Sequence, residues 1–166
     1  ISSIPMTTAE ISAFMPEMKD LFVVGGENVL EVVDMADPAN PKKVIEVKLP
    51  GGASSVTVHG HDDLVAVSLL NNPEWKMGHV QVMRYNKKLE VLGKHELCYM
   101  PDMITFTPDG TNLLVACEGS PDETFSEDPE GGIGVLSIAG VNASASAADL
   151  ARAWKKPQKT VVGFGL

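Results

Sequence analysis

Carboxylates crowd into one stretch of the chain, where Glu118, Asp122, Glu123, Glu127, Asp128 and Glu130 follow one another with no Lys or Arg between them. Hard cations such as Ca²⁺ take about six to eight oxygen ligands, and acidic side chains together with loop carbonyls can supply them. The spacing is not that of an EF-hand, which needs alternating Asp/Asn ligands, a central Gly and a terminal Glu. Two readings stay open. The segment is a cation site, with calcium as the first candidate, or it is a solvated acidic face that keeps the protein soluble.

Other chemistry-bearing residues are sparser. His59-Gly60-His61-Asp62-Asp63 puts metal-friendly side chains close together in a turn, with no third His or Cys nearby to complete a transition-metal set. His79 and His95 stand alone. The two cysteines, Cys98 and Cys117, are too few for a four-cysteine zinc site or a disulfide framework. Antiparallel pairing about the Asp109-Gly110 turn sets Cys117 opposite roughly Asp102, so Cys98 reaches it only by folding back from a connecting loop. A disulfide and two separate buried thiols both remain open. Neither thiol has a His placed beside it, as a catalytic cysteine would need. Asn142-Ala143-Ser144 is an N-x-S glycosylation sequon. No phosphate-binding Gly loop, nucleophile elbow or basic-aromatic patch occurs, so no catalytic residue is assigned.

The chain's bulk properties set the context. Its 166 residues suffice for one domain with a core, and 44% hydrophobic with 21% charged residues is an ordinary globular balance. The net charge of -9 disfavours nucleic acid and anionic membranes as partners and favours cations or basic proteins. No apolar run approaches the roughly 18 residues of a membrane span. A start at Ile1, without a signal-peptide pattern, points to a processed or partial chain.

The elements that must carry these residues read as short strands, rich in β-branched residues and separated by Gly and Pro turns. Ala9 to Phe14, Leu21 to Val24, Val29 to Met35 and Val44 to Leu49 make a first set. Ser55 to His59, Leu64 to Leu70, His79 to Tyr85 and Lys88 to Leu97 repeat it. Met103 to Thr107, Leu113 to Ala116, Ile133 to Ile138 and Thr160 to Phe164 form the third. Four-stranded units recurring at about 40–50 residues are the mark of a β-propeller; a sandwich or barrel is the alternative. The expected fold is therefore all-β: a propeller fragment of about three antiparallel blades, covering 8–49, 50–97 and 98–166. A short helix is inserted in the third, capped by Ser146, running through Lys155 and stopped by Pro157. Three blades do not close a ring, so further blades or partner chains must complete it. In a blade, the loop joining the second and third strands shares a rim with the entry to the first. Asp102 thus joins Glu118, Asp122, Glu123, Asp128 and Glu130 as a candidate metal ligand, with Glu27 and Glu74 on neighbouring loops.

Several linked motifs carry a family resemblance. Pro101-Asp102-Met103, Thr105-Phe106-Thr107-Pro108-Asp109-Gly110, Leu114-Val115-Ala116, Glu118-Gly119, Pro121 and Asp128-Pro129-Glu130-Gly131 resemble the choice-of-anchor I family, as do Ala9-Glu10-Ile11 and Asp34-Met35-Ala36-Asp37-Pro38. That family includes mesenchyme-specific cell surface glycoproteins of biomineralising animals and related bacterial surface proteins. Cys117 departs from the pattern, which favours a polar residue such as Asn there, and the chain is shorter than a full family domain. The resemblance implies a secreted or surface-attached propeller, with matrix or mineral partners, and would suit a glycan on Asn142. The leading expectation is a non-enzymatic extracellular propeller that binds calcium or matrix partners through its acidic loop. The alternatives are a calcium-dependent, phytase-like phosphoesterase and a structural subunit of an extracellular assembly. A phosphoesterase needs cations facing the carboxylates, for which Lys76 and Arg84 are the candidates.

Overall fold

Alternation of β-branched residues with tight turns produces twelve strands, one α-helix and a 3-10 turn (Gly60–Asp62) among residues 2–142, 144–154 and 162–163, which the computed structural model describes. The first sheet contains β1 (Ile11–Met15), β2 (Asp20–Val24), β3 (Val29–Asp34) and β4 (Lys42–Lys48). The second contains β5 (Ala53–His59), β6 (Leu64–Leu69), β7 (Met77–Tyr85) and β8 (Leu89–Tyr99). The third contains β9 (Pro101–Phe106), β10 (Asn112–Cys117), β11 (Gly132–Ser137) and β12 (Val162–Gly163). Within each sheet every strand pairs antiparallel with its neighbour in sequence, so each sheet is a four-stranded meander. The innermost strands β1, β5 and β9 stand side by side. This is a β-propeller arc of three blades.

Two apolar layers hold the arc together, one between each pair of blades. Phe22, Val24, Leu30 and Val32 of the first blade meet Val65, Val67, Leu69, Met83 and Tyr85 of the second. On the second blade's other face, Leu64, Ala66, Val80 and Val82 meet Ile104, Phe106, Leu113, Val115 and Leu136 of the third. Successive residues of β6 point to opposite layers, which is why Leu64–Leu69 is buried at every position. An edge blade would show alternation instead, and β10 does: Leu113, Val115 and Cys117 are buried while Leu114 and Ala116 are only half-buried.

Helix α1 (Ala147–Trp154) closes the outer side of the second layer by burying Leu150 there. Its start is a reciprocal cap: Asp149 N–H donates to Ser146 Oγ at 3.3 Å, and Ser146 N–H donates to Asp149 Oδ2 at 2.9 Å. Lys155, Pro157 and most of the fourth strand expected in the third unit lie outside the described residues.

Polar clips reinforce both seams. Ser54 Oγ donates to the Pro101 carbonyl at 2.6 Å and Ser68 Oγ to the Asp102 carbonyl at 3.1 Å. On the first seam, Tyr85 Oη donates to the fully buried Asp20 Oδ2 at 2.6 Å, with the Lys87 ammonium at 2.5 Å. Burial, helped by that carboxylate, raises the Tyr85 phenol well above its usual pKa. Tyr85 also packs edge-on against Phe22, with ring centroids 4.9 Å apart. The turns nest in series. Glu17 of the first blade fills the space where a Cβ on Gly60 would stand, and the His59 ring lies 2.6 Å from where one on Gly110, at φ +67°, would stand.

Candidate functional site

Antiparallel alternation sorts the connections between two rims. The turns after β1, β5 and β9 lie on the lower rim. The loops after β2, β6 and β10, with the crossovers into β5 and β9, lie on the upper rim. Glu27, Glu74 and the acidic loop from Glu118 to Glu130 therefore belong to the upper rim, with Asp102 beside it as the second residue of β9. His59, His61, Asp62 and Asp63 belong to the lower rim, as does Arg84 near the end of β7.

The base of the acidic loop is fixed covalently. Cys98 and Cys117 form a disulfide with a Cα–Cα distance of 6.0 Å. Cys98 is not in a connecting loop: β8 runs on to Tyr99, and Met100 alone, at φ +49°, separates it from β9. A register shift between Val115 and Cys117 brings Cys117 opposite Pro101. The bond thus joins the outer strand of the second blade to the strand that feeds the loop. Above it, Glu118 N–H donates to the Met100 carbonyl at 3.0 Å. Gly119, at φ +71°, packs against the Pro129 carbonyl so closely that a Cβ would stand 2.2 Å from it. The neck is therefore two backbone segments in contact.

Beyond the neck the loop is organised by one of its own carboxylates. Asp122 Oδ1 accepts from Thr124 N–H at 3.0 Å and Ser126 N–H at 2.8 Å, and the Asp122 N–H donates to the Glu127 carbonyl at 2.9 Å. The hydrogen bonds from Ser126, foremost its hydroxyl, pull the Asp122 carboxyl down to about 2. This closed turn presents Phe125 at φ +56° and 77% exposure. Glu118, Glu123, Glu127, Asp128 and Glu130 are exposed around it, and none makes an ion pair among the described residues.

The six sequence-predicted ligands are thus on one rim without forming one cage. Among the described residues no three His, Cys, Asp or Glu side chains gather as a metal would require. Asp122 is committed to its own turn, and Asp102 lies outside the loop. Asp109, on the lower rim, is likewise used by its turn: it accepts from Thr107 Oγ1 at 2.6 Å and Thr111 N–H at 3.0 Å, bonds that hold it at about 2. His59 Nδ1 lies 3.0 Å from Asp62 Oδ2 without the alignment of a hydrogen bond, and its ring packs against Phe106. Arg84 pairs with Glu90 and donates to the Ala145 carbonyl at 2.9 Å, away from the acidic rim. Asn142 is exposed, and its Oδ1 accepts from Ser144 N–H at 2.9 Å; Ala143 of the sequon lies outside the described residues.

Sequence reasoning missed Glu31. It is fully buried on the face of the first blade that turns away from the second, beneath the N-terminal strap of residues 2–9. Thr7 N–H donates to its Oε2 at 2.9 Å, Thr7 Oγ1 donates to Oε1 at 3.1 Å, and the Lys43 ammonium stands 2.7 Å away. Burial raises its pKa, but the bonds from Lys43 and Thr7 outweigh it and the net direction is down. A lone Glu in an otherwise apolar strand, Val-Leu-Glu-Val-Val, was the available signal.

Solved structures with the same fold are far apart in sequence. The chain superposes on hydrazine synthase of Kuenenia stuttgartiensis with TM-score 0.60 and 18% identity, covering 78% of this chain and 34% of that one. Sqt1 of Saccharomyces cerevisiae gives TM-score 0.60 at 9% identity, covering 82% and 33%. A putative 6-phosphogluconolactonase of Bacteroides fragilis gives 0.56 at 16%, covering 76% and 36%. This chain spans about a third of the length of each of these structures. No curated protein matches the sequence. The model of the choice-of-anchor I domain matches residues 10–161, and the chain belongs to that family.

Proposed function

We propose that the chain is an arc of a non-enzymatic, surface-displayed propeller whose acidic loop is its binding face, taking calcium or the cationic parts of matrix and mineral-associated partners. The observation that carries this reading is a loop braced at its base by the Cys98–Cys117 bond, whose exposed carboxylates make no ion pair among the described residues. The bond and the backbone contacts at the neck lower, without removing, the ordering cost of binding. A disulfide fits maturation in an oxidising compartment, in keeping with the surface role that the family name implies. No helix among the described residues is long and apolar enough to cross a membrane.

Calcium coordination on this reading draws Glu118, Glu123, Asp128 and Glu130 together, with loop carbonyls and partner oxygens completing the set. A phosphoesterase would need several cations opposite the carboxylates; of the two candidates, Lys76 lies on the acidic loop's rim, in the loop after β6, and Arg84 lies on the other. Thermal denaturation of the full-length protein with and without millimolar calcium tests the reading. The melting temperature rises with calcium, and the rise is lost when Glu123, Asp128 and Glu130 are changed to amides. An unchanged melting curve together with no binding of polycationic peptides would overturn it.

A further inference from the structure

At the lower end of the first seam stands a carboxylate whose two oxygens are treated unequally. Asp20 opens β2 and is fully buried against the second blade. Its Oδ2 accepts from the Tyr85 hydroxyl at 2.6 Å and lies 2.5 Å from the Lys87 ammonium. Its Oδ1 is buried as well and has no partner among the described residues. A buried carboxylate oxygen without a donor is costly, because it has given up water and gained no hydrogen bond in return. The buried Glu31 is built differently. Both of its oxygens accept hydrogen bonds from Thr7, and the Lys43 ammonium that it meets also pairs with Glu46 at 2.9 Å.

Lys87 is held from a second side. It stands in the turn between β7 and β8, at φ +54°, and its ammonium donates to the Met18 carbonyl at 2.8 Å. Its side chain is 55% exposed, whereas the Asp20 side chain is closed to solvent. An amine nitrogen is therefore fixed against a desolvated carboxyl group. One oxygen of that group is bound by a phenol, and the other is bound by nothing among the described residues. Holding two reacting groups in contact replaces much of the activation that separate amines and acids need.

We propose that Lys87 and Asp20 condense into an isopeptide bond that joins the first blade covalently to the second. The ion pair holds every atom the step needs, since an ammonium and a carboxylate become an amide and one water. A proton passes from the ammonium to Oδ1, which leaves two neutral groups in a site shut off from water on the carboxyl side. The Nζ lone pair attacks Cγ, the electron pair of the C=O bond moves to Oδ2, and the Tyr85 hydroxyl stabilises that oxyanion. A second proton then leaves Nζ for Oδ1, the Cγ–Oδ1 bond breaks, and Oδ1 departs as water. Asp34, paired opposite Asp20 across β2 and β3, is on the same face to relay that proton. The product satisfies each group around it. Oδ2 becomes the amide oxygen and keeps Tyr85, the amide N–H donates to the Met18 carbonyl, and the oxygen without a partner is gone. Water escapes along the half-exposed Lys87 stem.

Mass spectrometry of the reduced and denatured full-length protein tests the proposal. The wild type should be one water lighter than its sequence, and trypsin should release residues 20–42 joined to residues 85–88. Asp20→Ala and Lys87→Arg should each keep that water; Lys87→Arg preserves the charge at the seam but supplies no nucleophilic amine. In freshly refolded protein, Tyr85→Phe should slow the joining at least about tenfold. Recovery of the two wild-type peptides only as separate species overturns the bond. Loss of water without a joined peptide marks a cyclised aspartate and overturns it as well. Joining of Lys43 to Glu31 to the same extent would show that contact alone suffices, and would overturn the roles given to Oδ1 and Tyr85.

Discussion

Asp122 accepts hydrogen bonds from Thr124 and Ser126 within its own turn, which makes it a shaping residue where its neighbours Glu123 and Asp128 are left facing solvent. Its folded-state pKa of about 2 lies below the ordinary carboxylate value of about 3.9. The turn's contribution is therefore complete above that ordinary value and is lost as the pH falls toward 2. Acid-stable protease digestion should find the loop resistant at pH 4.5 and cut near pH 2. Asp122→Ala should be cut at both pH values, with the global melting temperature nearly unchanged. Glu31 behaves differently because it is fully buried: Glu31→Ala leaves the Thr7 N–H and hydroxyl without their acceptor, while the exposed Lys43 keeps Glu46 at 2.9 Å, and should cost about 1–3 kcal/mol in denaturant titrations. Glu31 and Asp122 look alike as residue types. Their opposite roles depend on which backbone donors the fold brings to each, and that is not legible in the sequence.

At the scale of elements, the strands were the most legible part of the chain. β6 and β10 both read as short apolar runs in the sequence; the fold tells them apart, covering both faces of β6 and one face of β10. The seams between blades were not legible. Ser54 and Ser68 are small polar residues of a kind usually found at surfaces, yet their hydroxyls reach backbone carbonyls of β9, a contact between residues far apart in sequence. The connection from β8 to β9 was expected to be a loop, and a single left-handed residue, Met100, makes the turn instead. This places Cys98 on a strand and gives the disulfide a mechanical role at the seam. With 19 residues of sequence separation between the cysteines, replacing both by Ser should lower stability by about 3 kcal/mol in the chain-entropy model. Reducing agent should reproduce the loss, measured by denaturant titration, and leave the double variant unaffected. An equal response from variant and wild type would show that the bond does not staple the seam.

At the scale of the molecule, an arc of three blades ends in two unlike faces. The first blade's outer face holds the strap and its Glu31 anchor; the third blade's holds Leu114, Ala116 and Val135 half-buried and Ile133 at 36% exposure. A propeller leaves no blade face uncovered, so the third blade's face should receive the next blade. The acidic loop rises from the upper rim of that same blade. Its carboxylates, legible as a cluster in the sequence, do not form a cage among the described residues, because Asp122 is taken up by its own turn and the others point to solvent. Thiol labelling of the full-length protein is the most direct test of the ring. A cysteine at Ile133 should react about a hundredfold more slowly than one at Val91, an exposed position on the blade already flanked on both sides. Equal rates at the two positions would contradict the closed ring.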